Sequence, residues 1–157
     1  MFLFSKQEDF PRLEQLRALS LFSTLSPREL KTVDALLHQR NFLKDEVIFD
    51  QGEEGQALYI IESGKVLICR QGQPSGGRIA ELGPGRLFGE LALLDNSPRV
   101  AQARAAENCT LAVLFRADFL GLLQTHALIA SKISLQLARH IGQRLRETVT
   151  APGNQSE

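Results

Sequence analysis

The chain has 157 residues, 43% of them apolar, and its 18 lysines and arginines are matched by 18 aspartates and glutamates. That length suits one domain with its own core, and the zero formal charge excludes the basic surplus with which a dedicated nucleic-acid binder neutralises phosphates. Apolar runs such as Leu111 to Phe115 are too short to cross a bilayer, and Cys69 and Cys109 lack the spacing of a zinc or iron–sulfur site, so no membrane association and a reduced, cytoplasmic protein are expected.

In chain order, the short apolar tip at Met1 to Phe4 runs at once into charges, unlike a secretory signal. Leu13, Leu16 and Leu19 then stand at helical spacing within Glu8 to Leu19. Ser26-Pro27-Arg28-Glu29 starts a second helix: Ser26 caps, Pro27 takes the tolerated first position and Glu29 completes the capping box. That helix is expected to reach Leu37 or His38, burying Leu30, Val33, Leu36 and Leu37. From Phe42 the pattern becomes short β-branched and aromatic segments, at Val47 to Phe49, Leu58 to Ile61, Lys65 to Cys69, Arg78 to Leu82 and Leu111 to Phe115. Glycine turns separate them at Gly52 to Gly55, Gly64, Gly72 to Gly77 and Gly83 to Gly85. Helical spacing returns at Ala130, Ile133, Leu137, Ile141, Leu145 and Val149, with the small residues Ala138 and Gly142 open to a close neighbour.

The fold expected is α+β: an antiparallel β-barrel or jelly roll (a double-stranded β-helix) flanked by N-terminal helices and one long C-terminal helix. The expected division is an N-terminal helical segment at 1–19, a domain at 20–150 ending in the long helix, and a disordered polar tail at 151–157.

The stretch from Gly85 to Ala105 carries the functional signal. A turn at Gly89 leads into a short helical piece, Glu90 to Leu94, whose first N–H groups favour an anion; Asp95 to Pro98 end it and present Arg99. A guanidinium fork suits a singly charged phosphodiester. A carboxylate would repel that phosphate, so Glu90 is better used accepting hydrogen bonds from a sugar hydroxyl. A Glu and an Arg this close in sequence also fit a surface pair worth under about 1 kcal/mol, and Leu93 and Leu94 fit core packing better than ligand contact.

Phe88-Gly-Glu-Leu-Ala-Leu-Leu94 followed by Pro98-Arg-Val-Ala101 resembles the phosphate-binding cassette of cyclic-nucleotide-binding domains, found in cyclic-AMP receptor regulators, cyclic-nucleotide-dependent kinases and gated channels. Leu21 to Ser26, the block Val47 to Gly64, and Ala103 to Ala105 with Phe119 extend the resemblance over residues 20 to 145. It implies that Glu90 accepts the ligand's 2′-hydroxyl, that Arg99 holds the cyclic phosphate, and that the backbone of Gly89, Leu91 and Ala101 closes round them. In the family, a hydroxyl residue directly after the arginine favours guanine. Val100 has none, which points to cyclic AMP over cyclic GMP. Gln102 departs from the family's threonine.

The resemblance also implies a sensor and not an enzyme. No Gly-x-x-x-x-Gly-Lys loop, nucleophile elbow or paired metal-binding carboxylates stand in the sequence, and no metal or cofactor is expected. No ligand role is assigned to His38, His126 or His140. Relatives that regulate transcription continue into a DNA-binding helix-turn-helix, whereas a short polar tail follows the long helix here. The listener is therefore expected to be an effector protein or a second copy meeting the C-terminal helix. A nucleotide-independent dimerisation module and a cyclic-dinucleotide binder stay open as alternatives.

Overall fold

A computed structural model describes residues 12–70 and 77–150. The expected helical start from Glu8, most of the Gly72 to Gly77 turn and the polar tail from Ala151 lie outside them. The chain divides into two compact units, Thr32–Gly121 and the paired segments Met1–Lys31 and Leu122–Glu157.

The described residues of these paired segments are mostly helical. Residues 12–17 form α1, which buries Leu16, and the 3-10 turn Ser20–Phe22 buries Leu21 and Phe22 against α4 (Ala127–Thr150). Helix α2 (Pro27–Asp34) starts as its capping box dictates: the Ser26 N–H donates to Glu29 Oε1 at 2.8 Å and the Glu29 N–H to Ser26 Oγ at 3.2 Å. The same Glu29 carboxylate accepts from Lys132 Nζ at 2.8 Å, joining α2 to α4. Helix α4 buries Ile129, Ala130, Ile133 and Leu137. The expected stripe does not continue as buried surface, since Leu145 is 62% and Val149 71% exposed.

Helix α2 stops at Asp34, short of the expected Leu37 or His38. Leu30 and Val33 are buried, but Leu36 and Leu37 only half so. His38 opens a strand instead, paired with Val113, and its ring meets Phe115 edge-on at 5.1 Å. Long-range pairing outcompetes one further helical turn.

Among the described residues the remaining unit holds eight strands: β1 (His38–Phe42), β2 (Val47–Phe49), β3 (Ala57–Ser63), β4 (Val66–Cys69), β5 (Arg78–Leu82), β6 (Leu87–Phe88), β7 (Gln102–Ala105) and β8 (Cys109–Phe115), before α3 (Arg116–Thr125). They form two antiparallel four-stranded sheets, ordered β1-β8-β3-β6 and β2-β7-β4-β5. The sheets share one core: Phe49, Val66, Leu82, Ala103 and Ala105 from one meet Ile61, Phe88, Cys109 and Leu111 from the other. Each large side chain so buried contributes about 1.5–3 kcal/mol.

The expected barrel or jelly roll is not found. Among the described residues no strand pairs with both sheets, so the fold is α+β with two open sheets and flanking helices. Short strands with glycine turns look alike in packed and in closed sheets, and closure depends on tilt and stagger that local sequence does not encode. Only β4 to β5 stays within one sheet; every other connection crosses to the opposite one. The tightest corner is Gly64, φ +89°, where a Cβ would collide with the Asn108 carbonyl oxygen.

Candidate functional site

Strand β6 pairs with β3 through Tyr59 and Phe88 and delivers the chain to Gly89. Gly89 has φ +72°, a conformation that favours glycine, and a Cβ there would stand 2.6 Å from Arg99 Nη1, so the end of the arginine would have to shift. The 3-10 turn Glu90–Leu93 follows, as the sequence leads one to expect, with the Ala92 N–H on the Gly89 carbonyl at 3.2 Å. It buries Glu90, Ala92 and Leu93 and leaves Leu91 48% and Leu94 59% exposed. Core packing thus holds for Leu93 and fails for Leu94, because so short a turn presents one side only to the sheet.

Asp95 to Pro98 lead the chain back to the first glycine hairpin. Asp95 Oδ1 accepts from the Ser97 N–H at 3.0 Å, a bond that lowers the Asp95 carboxyl from its ordinary value. Glu54 and Pro98 form an isolated bridge; the Arg99 N–H donates to the Glu53 carbonyl at 2.6 Å and the Gly52 N–H to the Arg99 carbonyl at 2.8 Å. The hairpin Gly52 to Gly55 and the cassette, far apart in sequence, are therefore one laced structure.

The Arg99 side chain lies across it. Nη1 donates to the Gly89 carbonyl at 3.1 Å, Nη2 donates to the Ala57 carbonyl at 2.8 Å, and Cζ sits 4.0 Å from the Phe49 ring centroid. Burial lowers the Arg99 pKa from its ordinary value, opposed by Tyr59, Glu53 and Glu90; arginine nevertheless stays charged. Glu90 is 8% exposed, so this turn carries an acid turned inward beside a fixed cation.

Of the expected residues, the structure brings Gly89, Glu90 and Arg99 together. Ala101 is buried at 6%, ahead of β7, while the Val100 side chain is 77% exposed. Gln102 is 5% exposed and bound into the protein: Nε2 donates to Asp50 Oδ1 at 2.6 Å, and Oε1 accepts from Arg104 Nη2 at 3.3 Å and Cys69 Sγ at 3.5 Å. Its amide ties β7 to Asp50, just after β2, and to Cys69 of β4.

Sequence reasoning missed Arg116. Its Nη1 donates to the carbonyls of Gly55 at 2.7 Å, Ala92 at 3.2 Å and Asp95 at 2.8 Å, tying the hairpin to both ends of the cassette turn. The one local signal is an arginine placed directly after the apolar run of β8, and three widely separated carbonyl acceptors leave no motif. Phe49 and Tyr59 stand in the sequence as strand residues of the block Val47 to Gly64, with no signal that their rings meet Arg99. Among the described residues no group of three His, Cys, Asp or Glu is placed to hold a metal, and no helix is long and apolar enough to cross a membrane.

Residues 39–126 match the family model described as the cyclic nucleotide-binding domain. The chain is 41% identical over 133 residues to the cyclic AMP receptor protein of Thermus thermophilus, covering 84% of this chain and 60% of that one. It is 42% identical over 99 residues to a cAMP-dependent protein kinase regulatory subunit of Candida albicans, 63% of this chain and 21% of that one. The crystal structure of the N-terminal domain of a transcriptional regulator from Streptomyces coelicolor superposes with a TM-score of 0.72 at 29% identity, covering 87% of this chain and 96% of that one. The chain thus spans 60% and 21% of the lengths of these two curated relatives.

With the cassette turn, the inward acid and the fixed arginine in place, the chain belongs to the cyclic nucleotide-binding domain family.

Proposed function

We propose that the chain senses cyclic AMP, with Glu90 accepting the ribose 2′-hydroxyl, Arg99 holding the cyclic phosphate, and Gly89, Leu91, Val100 and Ala101 lining the ligand. The observation that carries this is the Arg99 guanidinium, half-buried and already held by the Gly89 and Ala57 carbonyls beside the buried Glu90. A cation placed before the ligand arrives loses little freedom on binding. Preference for adenine over guanine rests on Val100, which lacks a hydroxyl for guanine, and accords with the names of the receptor and kinase relatives. The free, buried Cys69 and Cys109 suit a reducing, cytoplasmic setting.

The readout assigned to α4 is a contact with a second copy. Exposed Leu128, Leu135 and Val149 and the small Gly142 stand seven residues apart, with exposed Ala138 and Leu145 between them, the spacing of a coiled-coil seam. A Cβ on Gly142 would meet only Arg146 Nη1, at 3.9 Å, so a neighbouring backbone has room. Nucleotide then shifts the population of α4 positions and so the contact an effector protein meets.

Calorimetry with cyclic AMP and cyclic GMP, on the wild type and on Arg99→Ala, tests this. The expected result is tighter binding of cyclic AMP, weakened about 10- to 100-fold by Arg99→Ala, as for loss of charged hydrogen bonds. No heat with either nucleotide at high micromolar concentration would favour a nucleotide-independent dimerisation module, and competition only by a cyclic dinucleotide would move the ligand class.

A further inference from the structure

We infer that Phe49 is a positioning residue for the phosphate-binding cation: its ring is the platform that fixes the plane of the Arg99 guanidinium before ligand arrives.

Strand β2 is short and its pairing to β7 is irregular, Val47 opposing Arg104 and Phe49 opposing Ala103. An extra residue of this kind re-aims the next side chain. Phe49 is 8% exposed, and its ring lies 4.0 Å from Arg99 Cζ, well inside the range of a cation over an aromatic face. The ring is itself wedged. It lies 5.8 Å from Tyr59 at 45° and 5.9 Å from Phe88 at 42°, and those two stack on each other at 5.2 Å and 9°. Tyr59 adds a second, longer contact to Arg99 at 5.8 Å. Gly55 leaves the guanidinium room, since a Cβ there would come within 3.3 Å of Cζ.

The Gly89 and Ala57 carbonyls engage one terminal nitrogen each, which sets position within the guanidinium plane. The plane itself still needs a support, and an aromatic face supplies it without competing for the donors an anion uses. A leucine at 49 would keep most of the core volume and leave the plane unfixed. Leu, not Ala, is therefore the informative replacement.

The functional arm rests on the proposed cyclic-AMP site. Cyclic-AMP affinity is measured by calorimetry on wild type, Phe49→Leu, Phe49→Tyr and Arg99→Gln, and on Phe49→Leu combined with Arg99→Gln. The expected loss for Phe49→Leu is roughly three- to thirtyfold, the span of a desolvated cation–π contact, with Phe49→Tyr near wild type. In the Arg99→Gln background Phe49→Leu is expected to add nothing, because the ring acts through the arginine. Unchanged affinity in Phe49→Leu overturns the inference, as does an equal loss in both backgrounds, which would mark ordinary core damage. A wild type that binds no cyclic nucleotide would sink the sensor proposal instead. The platform is then decided in the ligand-free protein by NMR of the arginine side chains. The Arg99 guanidinium signals should be shifted by the ring current and revert in Phe49→Leu or, if that variant does not fold, in Phe49→Ile. Arg99 signals at ordinary positions in the wild type would overturn it without any variant.

Discussion

Arg116 Nη1 stands 2.7 Å from the Gly55 carbonyl oxygen, and with the Arg116 N–H on the Gln56 carbonyl at 2.8 Å it holds the first glycine hairpin to the strand–helix junction after β8. The same nitrogen reaches the Ala92 and Asp95 carbonyls, so one cation joins the hairpin to both ends of the cassette turn. Arg116→Ala is expected to destabilise the protein by about 1–3 kcal/mol in urea titrations. It should also weaken cyclic-nucleotide binding, since Arg99 is laced to the same hairpin. Arg116→Lys should recover part of the stability, because an ammonium keeps the charge but not the planar fork.

Gly89→Ala should damage the site more than the fold. It forces a side chain onto φ +72° and into Arg99 Nη1, a strain of about 1–2 kcal/mol from the backbone alone. Far-UV circular dichroism should stay near wild type while calorimetric affinity for cyclic AMP falls at least tenfold. Retained affinity would mean that Arg99 can yield without loss of function.

Acid should loosen the contact between α2 and α4 at Glu29. Its carboxyl pKa is lowered, first by the hydrogen bond from Lys132 and then by the Ser26 N–H. A carboxylate with a lowered folded pKa stabilises above its unfolded value, and that contribution is lost as pH falls through the folded one. Thermal melts from pH 7 downward should show the wild type losing stability below about pH 4.5, the carboxylate range. Glu29→Gln should start lower by about 1 kcal/mol, the size of a capping interaction, and change less over the same interval.

Leu135→Glu and Leu145→Glu place charges on the exposed seam of α4. If two copies meet there, light scattering should register a dimer for the wild type and a monomer for each variant, with unchanged melting temperature of the monomer. A wild type that is monomeric at all concentrations would remove α4 as a self-contact.

Val100→Thr should raise cyclic-GMP affinity relative to cyclic AMP by about fivefold, the value of one added hydrogen bond of about 1 kcal/mol. The side chain is 77% exposed, so the substitution carries little stability cost. An unchanged ratio in paired titrations would place base recognition elsewhere.

The elements that local chemistry dictates were legible. Ser26 and Glu29 wrote their own capping box, glycines marked the corners, and Gly89-Glu90 announced a turn that forms where expected. Strands β6 and β7 were not read as strands, being two and four residues long and identified only by their partners. Helix α2 lost its last turn to a strand partner remote in sequence, and the stripe of α4 is left exposed at Leu145 and Val149.

By itself the sequence determined the cassette turn, since a left-handed glycine and the short helical piece after it are written in adjacent residues. Tertiary structure alone decided that the strands make two open sheets, because hydrogen-bond closure depends on tilt and stagger across the whole unit. It alone also decided what supports the cassette. Arg116, Phe49 and the Glu53 carbonyl come from strands and turns remote in sequence, and contacts to backbone carbonyls and ring faces ask little of the neighbouring residue types.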